Sequence, residues 1–282
     1  MTVIYIILTL LILTVLVVSH EFGHFIMAKK HGVTVLEFAI GMGPALYRRQ
    51  GKETLFTIRA LPIGGFCRML GEEEDDEDAE DGQSLRDTGN ENSASDAVIT
   101  EKVPAQGEEL DPGDFRAKSK AQRFSILAAG PVMNFILGFV ILLICYFLLG
   151  ANPIQAVTAA FRAFGTFASA VFESLKMLFT GEVGVNDLAG PIGMVSMVGE
   201  VYAYGFVTLL SFAAFLSINL GLMNLLPIPA LDGGQMLIIL CEAIYGKNLS
   251  DKVKGILIGA SFVFLIGLML FVAVNDVMRI VG

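Results

Sequence analysis

His20, Glu21, Phe22, Gly23 and His24 form an H-E-x-x-H sequence. Within a helix, four-residue spacing puts both imidazoles on one face, one turn apart. Neutral imidazoles so placed suit Zn²⁺, and Glu21, adjacent to the first ligand, can reach a water on that ion and take its proton. The chemistry this pattern implies is hydrolysis by an activated water.

A catalytic zinc needs a third protein ligand and keeps a fourth position for water. The extended H-E-x-x-H-x-x-G-x-x-H pattern does not supply it, because Met27 and Lys30 occupy the later positions. Glu37 or Glu53 would serve if the site lay outside the membrane. The better placed candidate is Asp232, in the stretch Asn224, Leu225, Leu226, Pro227, Ile228, Pro229, Ala230, Leu231, Asp232, Gly233, Gly234. Two prolines break the helix there, and broken backbone at membrane depth is tolerated only against protein or a water-filled cavity. Two flexible glycines after Asp232 would let its carboxylate aim at the metal. Asn224 offers an amide to a developing oxyanion or to a substrate backbone, or else serves as a polar contact between helices.

These residues must be positioned by membrane helices. With 54% hydrophobic and 17% charged residues, the composition departs from that of a soluble domain. Four stretches reach the roughly 20 apolar residues a span requires: residues 3–28, 124–149, 206–226 and 255–274. The first has no basic residue ahead of its apolar run, unlike a cleaved signal peptide. His20 lies eight residues before Ala28, so the metal would sit about 12 Å inside the cytoplasmic end. Ionisable groups at that depth are costly and usually functional.

Thirteen of the 19 Lys and Arg residues fall between Lys29 and Arg123. That bias makes the first and third loops cytoplasmic and both termini extracytoplasmic. From Glu72 to Asp114 the chain carries 17 acidic and two basic residues, a net charge of −15, leaving +6 for the remainder. Such a segment cannot bury enough apolar surface to order itself, and it reads as a solvated cytoplasmic loop. Residues 33–40 and 54–61 have strand composition and predict a hairpin at the mouth of the first span, with residues 62–70 turning back toward the membrane. Phe161, Phe164, Ala168, Val171, Phe172, Leu175 and Leu178 fall on one helical face, with Arg162, Thr166, Ser169, Glu173 and Lys176 opposite, which predicts a helix along the outer interface. Cys67, Cys145 and Cys241 are widely spaced and suggest no disulfide framework.

The expected class is a mainly α, polytopic membrane protein: four transmembrane helices with a small cytoplasmic-side, membrane-associated β-hairpin or sheet. Its parts are residues 1–70, the first span and hairpin; 71–117, the acidic loop; 118–150, the second span; 151–204, the extracytoplasmic segment; and 205–282, the third and fourth spans.

HEFGH in a first span, AAGPVMNF (128–135) opening a second, LAGPIG (188–193) before a third and NLLPIPALDGG (224–234) within it resemble the bacterial site-2 proteases. The resemblance covers the chain outside the acidic loop. It implies an intramembrane zinc metalloprotease of regulated intramembrane proteolysis in the inner membrane, with His20, His24 and Asp232 as ligands, Glu21 as catalytic base and Asn224 near the substrate. Single-span membrane proteins, of the anti-sigma-factor or signal-peptide type, are the partners it implies, together with the bilayer and without nucleic acid. Relatives of the bacterial regulator type usually carry PDZ domains between spans two and three. Here about 55 residues (150–204) separate them, too few for that fold plus the interfacial helix. A non-proteolytic zinc-binding scaffold or transporter is the alternative, and the intact Glu21 argues against it. A substrate must arrive extended, and an edge of the hairpin, at residues 33–40 or 54–61, is expected to pair with it.

Overall fold

The computed structural model describes residues 2–72, 110–182 and 190–281. Most of the acidic loop and the first residues of LAGPIG lie outside them. Helices α1 (Thr2–Lys30), α2 (Lys120–Leu148), α5 (Phe206–Asn224) and α7 (Asp251–Val281) are the four described helices long and apolar enough to cross a membrane. Three more complete the helical part: α3 (Pro153–Thr180), α4 (Pro191–Ala203) and α6 (Asp232–Tyr245). The chain is a multi-pass membrane protein, mainly α, with one small sheet.

α1 and α7 run past their expected spans at both ends, and α5 stops two residues short of its own. α2 starts early because a polar cap, invisible to an apolar window, extends it. Ser119 Oγ accepts from the Gln122 N–H, and Gln122 Oε1 accepts from the Ser119 N–H at 3.0 Å, so α2 begins four residues before its apolar run. α1 and α2 cross at Gly23, where a Cβ would lie 2.2 Å from the Ala129 carbonyl oxygen. Only glycine permits that approach of two spans.

α3 is amphipathic as expected, with Arg162, Thr166, Ser169, Glu173 and Lys176 exposed. Its apolar face does not simply lie on a surface, however. Phe161 packs on Phe139 (4.7 Å between ring centroids) and Phe164 on Phe135 (6.0 Å), so α3 runs back antiparallel along α2. Phe167 then meets Phe215 of α5 at 5.5 Å. Fully buried Ala156 and Ala160 allow this close packing, which an amphipathic pattern alone cannot distinguish from attachment to lipid. Among the described residues between α2 and α5 only helices α3 and α4 occur, and no PDZ-like domain.

The strands are longer than expected: β1 covers Val35–Gln50 and β2 Leu55–Met69. Repeated register shifts fold each strand onto more than one neighbour. Glu37 is partnered by both Arg68 and Leu55, and Ile40 by both Gly65 and Ile58. Residues 55–58 are flanked in the same way, by 37–40 on one side and 47–50 on the other. The two segments expected to offer a free edge are therefore largely interior. The edge beside α1 belongs to residues 65–68, in the stretch expected to turn back. Thr14 Oγ1 donates to the Pro62 carbonyl at 2.8 Å, and a Cβ on Gly65 would lie 3.8 Å from Glu21 Cγ, so β2 returns along the first span. Gly41, at φ +86°, makes the bend in β1 possible, since a Cβ there would meet the Leu61 oxygen at 2.4 Å.

Ala28, Val33, Val35, Phe38, Met69, Ile126 and Ile239 form one buried cluster that ties the sheet to α1, α2 and α6. Glu242, 1% exposed, anchors the far end of α6. Its carboxylate accepts from Lys254 Nζ and from the Leu249 N–H, both at 2.9 Å, with an Arg123 guanidinium nitrogen at 3.7 Å. The three cysteines are free.

Candidate metal centre

The helical spacing of His20 and His24 delivers both imidazoles to one place, with Nε2 atoms 3.1 Å apart and both side chains buried. Asp232 arrives from the start of α6. Its Oδ2 lies 3.0 Å from His20 Nε2 and its Oδ1 3.5 Å from His24 Nε2. Metal bonds of about 2.0–2.1 Å at tetrahedral angles place donors about 3.3 Å apart, which these separations match. Asp232 Oδ2 is buried without a hydrogen-bond partner among the described residues, a polar atom that a bound cation would satisfy. A zinc ion fits this donor set.

Two glycine contacts make the room. Gly130 of α2 faces the imidazoles, where a Cβ would sit 2.3 Å from His24 Nε2 and 2.7 Å from His20 Cε1. Gly233 and Gly234 do not give Asp232 flexibility, as the sequence had suggested. Both are buried within the first turn of α6, where Cβ atoms would meet the Leu225 carbonyl carbon at 2.3 Å and the Ile228 oxygen at 2.1 Å. They let α6 start directly on the proline-broken bend and so fix where Asp232 stands.

Glu21, half-buried and next to His20 in α1, has the Cys67 N–H of β2 directed at its carboxylate. The alternative third ligands are committed elsewhere. Glu37 accepts from Thr57 Oγ1 (2.5 Å) and Arg59 (2.8 Å) inside the sheet, and Glu53 pairs with Lys29 at 2.8 Å. The Lys29 ammonium holds the exposed Glu53 carboxyl below its usual range. Asn224 ends α5, partly buried, and among the described residues its amide makes no hydrogen bond to His20, His24 or Asp232.

Each imidazole is also held from behind. His24 Nδ1 contacts the Ile126 carbonyl at 2.9 Å, and His20 Nδ1 contacts the side chain of Asn134 at 3.1 Å. Asn134, fully buried in α2, was not singled out from the sequence. Its signal was an amide in an otherwise apolar span, in AAGPVMNF.

Two histidines from the first span and a carboxylate from the start of α6, with a glutamate beside them, define a membrane-embedded metallohydrolase. The family model described as Peptidase family M50 matches residues 8–268. The chain belongs to that family, the site-2 proteases, and is an intramembrane zinc metalloprotease. It is 32% identical to the Clostridium acetobutylicum protein CA_C1796, which carries a zinc-metalloprotease name, over 96% of this chain and 97% of the relative. Identity is 28% to the zinc metalloprotease RasP of Bacillus licheniformis, over 96% and 98% of the two chains. It is also 28% to the regulator of sigma-W protease RasP of Bacillus subtilis, over 96% and 97%. Those three alignments run over 361 to 411 positions, more than the 282 residues of this chain, so the relatives carry internal segments that it lacks.

Proposed function

We propose that the chain hydrolyses peptide bonds within or near the transmembrane segments of single-span membrane proteins, of the anti-sigma-factor or signal-peptide-remnant type. His20, His24 and Asp232 hold the zinc. The observation that carries this reading is the convergence of their three donor atoms within 4.8 Å of one another, from α1 and α6, elements about 200 residues apart in the chain. The name of the Bacillus subtilis relative, a protease regulating a sigma factor, supports the substrate class. Charge bias in the loops supports an inner-membrane orientation with both termini extracytoplasmic.

Zinc supplies Lewis acidity, which acidifies water and polarises a carbonyl. Glu21 takes the proton of the attacking water and returns it to the leaving amine, which balances the hydrolysis. The Asn224 amide reaches the developing oxyanion or the substrate backbone once substrate draws it in. An extended substrate segment adds to the edge at residues 65–68 as a further strand, because that edge runs beside Glu21 whereas residues 37–40 and 55–58 already have partners on both sides.

The test is cleavage of a single-span substrate and zinc content, measured side by side for wild type, Glu21→Gln and Asp232→Asn. Glu21→Gln should keep its zinc and lose cleavage, and Asp232→Asn should lose both. Equal cleavage by wild type and Glu21→Gln would overturn the assignment.

A further inference from the structure

We infer that Asn134 is a positioning residue for the metal centre: its amide oxygen accepts the Nδ1–H of His20 and so fixes which nitrogen of that ring faces the zinc. The inference rests on the metal-centre reading above and concerns how the first ligand is oriented.

Both imidazoles turn Nε2 toward Asp232 and toward each other. A neutral imidazole has one lone pair and one N–H, so a ring that offers Nε2 to a metal carries its proton on Nδ1. For His24 that proton has an acceptor, the Ile126 carbonyl at 2.9 Å. For His20 the partner at 3.1 Å is drawn as the Asn134 Nδ2, which sets one donor against another. The Asn134 Oδ1, meanwhile, is buried and has no partner. Either orientation of the amide leaves one of its ends unpartnered by protein, so the choice falls to His20. With the oxygen turned toward Nδ1, the contact becomes a proper hydrogen bond and His20 is locked in the tautomer that frees Nε2.

The placement of Asn134 is otherwise firm. Its side chain is fully buried, and its backbone carbonyl accepts from Ser217 Oγ of α5 at 2.7 Å. α2 thus braces the site twice on one face: Gly130 leaves room at the metal side of the rings, and Asn134, one turn further along, holds His20 from behind.

The experiment is zinc affinity by chelator competition on purified full-length wild type, Asn134→Leu and Asn134→Asp. Leucine removes the acceptor at similar volume, whereas aspartate can only accept. Asn134→Leu should bind zinc about 10–100-fold more weakly, the cost usual for losing an outer partner of a metal-bound histidine, and Asn134→Asp should bind at or near the wild-type level. If the leucine variant does not yield folded protein, the aspartate variant decides alone. Wild-type affinity in Asn134→Leu, or loss of zinc in Asn134→Asp, overturns the inference. Wild type that binds no zinc overturns the metal-centre reading itself and is recognised by that control.

Discussion

Gly130 and His24 set the distance between the first two spans at the metal, since a Cβ on residue 130 would lie 2.3 Å from His24 Nε2. That contact is not with the movable end of a long side chain but with the ligating face of a ring held at Nδ1 by the Ile126 carbonyl. Gly130→Ala should therefore abolish zinc retention and cleavage together. Zinc content after purification, alongside a folded-protein check by size exclusion, reads the result.

Asn224→Leu separates chemistry from ligation. The amide makes no hydrogen bond to the three donor residues among the described residues, so zinc content should stay at the wild-type level. If the amide serves the oxyanion, kcat should fall by about 100–1000-fold with little change in KM. Single-turnover cleavage of a reconstituted substrate checks this.

Glu242 carries a pH-dependent share of stability. Burial pushes its carboxyl up, but the Lys254 ammonium at 2.9 Å, the Leu249 N–H and Arg123 outweigh that and hold it below the usual carboxylate range. A carboxyl depressed on folding contributes stability above its unfolded value and loses it as pH falls through the folded one. The thermal midpoint should thus drop as the pH is lowered below about 4.5, and in Glu242→Gln that drop should be smaller.

Glu242→Ala should also destabilise the protein at neutral pH, by about 3 kcal/mol, because Lys254 and Arg123 lose a buried counter-charge. The site should feel this through α6, whose first turn bears Asp232. Thermal unfolding in detergent, with and without added zinc, measures both effects.

The convergence of His20, His24 and Asp232 was legible in the sequence because its constraint is largely local. His20, Glu21 and His24 owe their arrangement to helix periodicity, and the two prolines ahead of Asp232 betray a break whose only tolerable setting is a site. What stayed hidden depends on contacts between elements distant in sequence. Asn134 acts through a ring in another helix, and Gly233 and Gly234 looked like hinges when their missing side chains in fact admit a backbone. The sheet was read as a simple hairpin because strand composition reports propensity and not register. Only the structure shows residues 37–40 enclosed on both sides. α3 was recognised by its two faces, but the aromatic rings of α2 and α5 that meet it carry no mark in its own sequence.

A sheet margin that runs beside Glu21 imposes a rhythm on any strand added to it. Successive side chains of an added strand point to opposite sides, so every second residue of a cleaved segment would face the first span while its neighbours look away. Preference among targets should accordingly alternate along the segment, with shape and size read at positions two apart and tolerance between them.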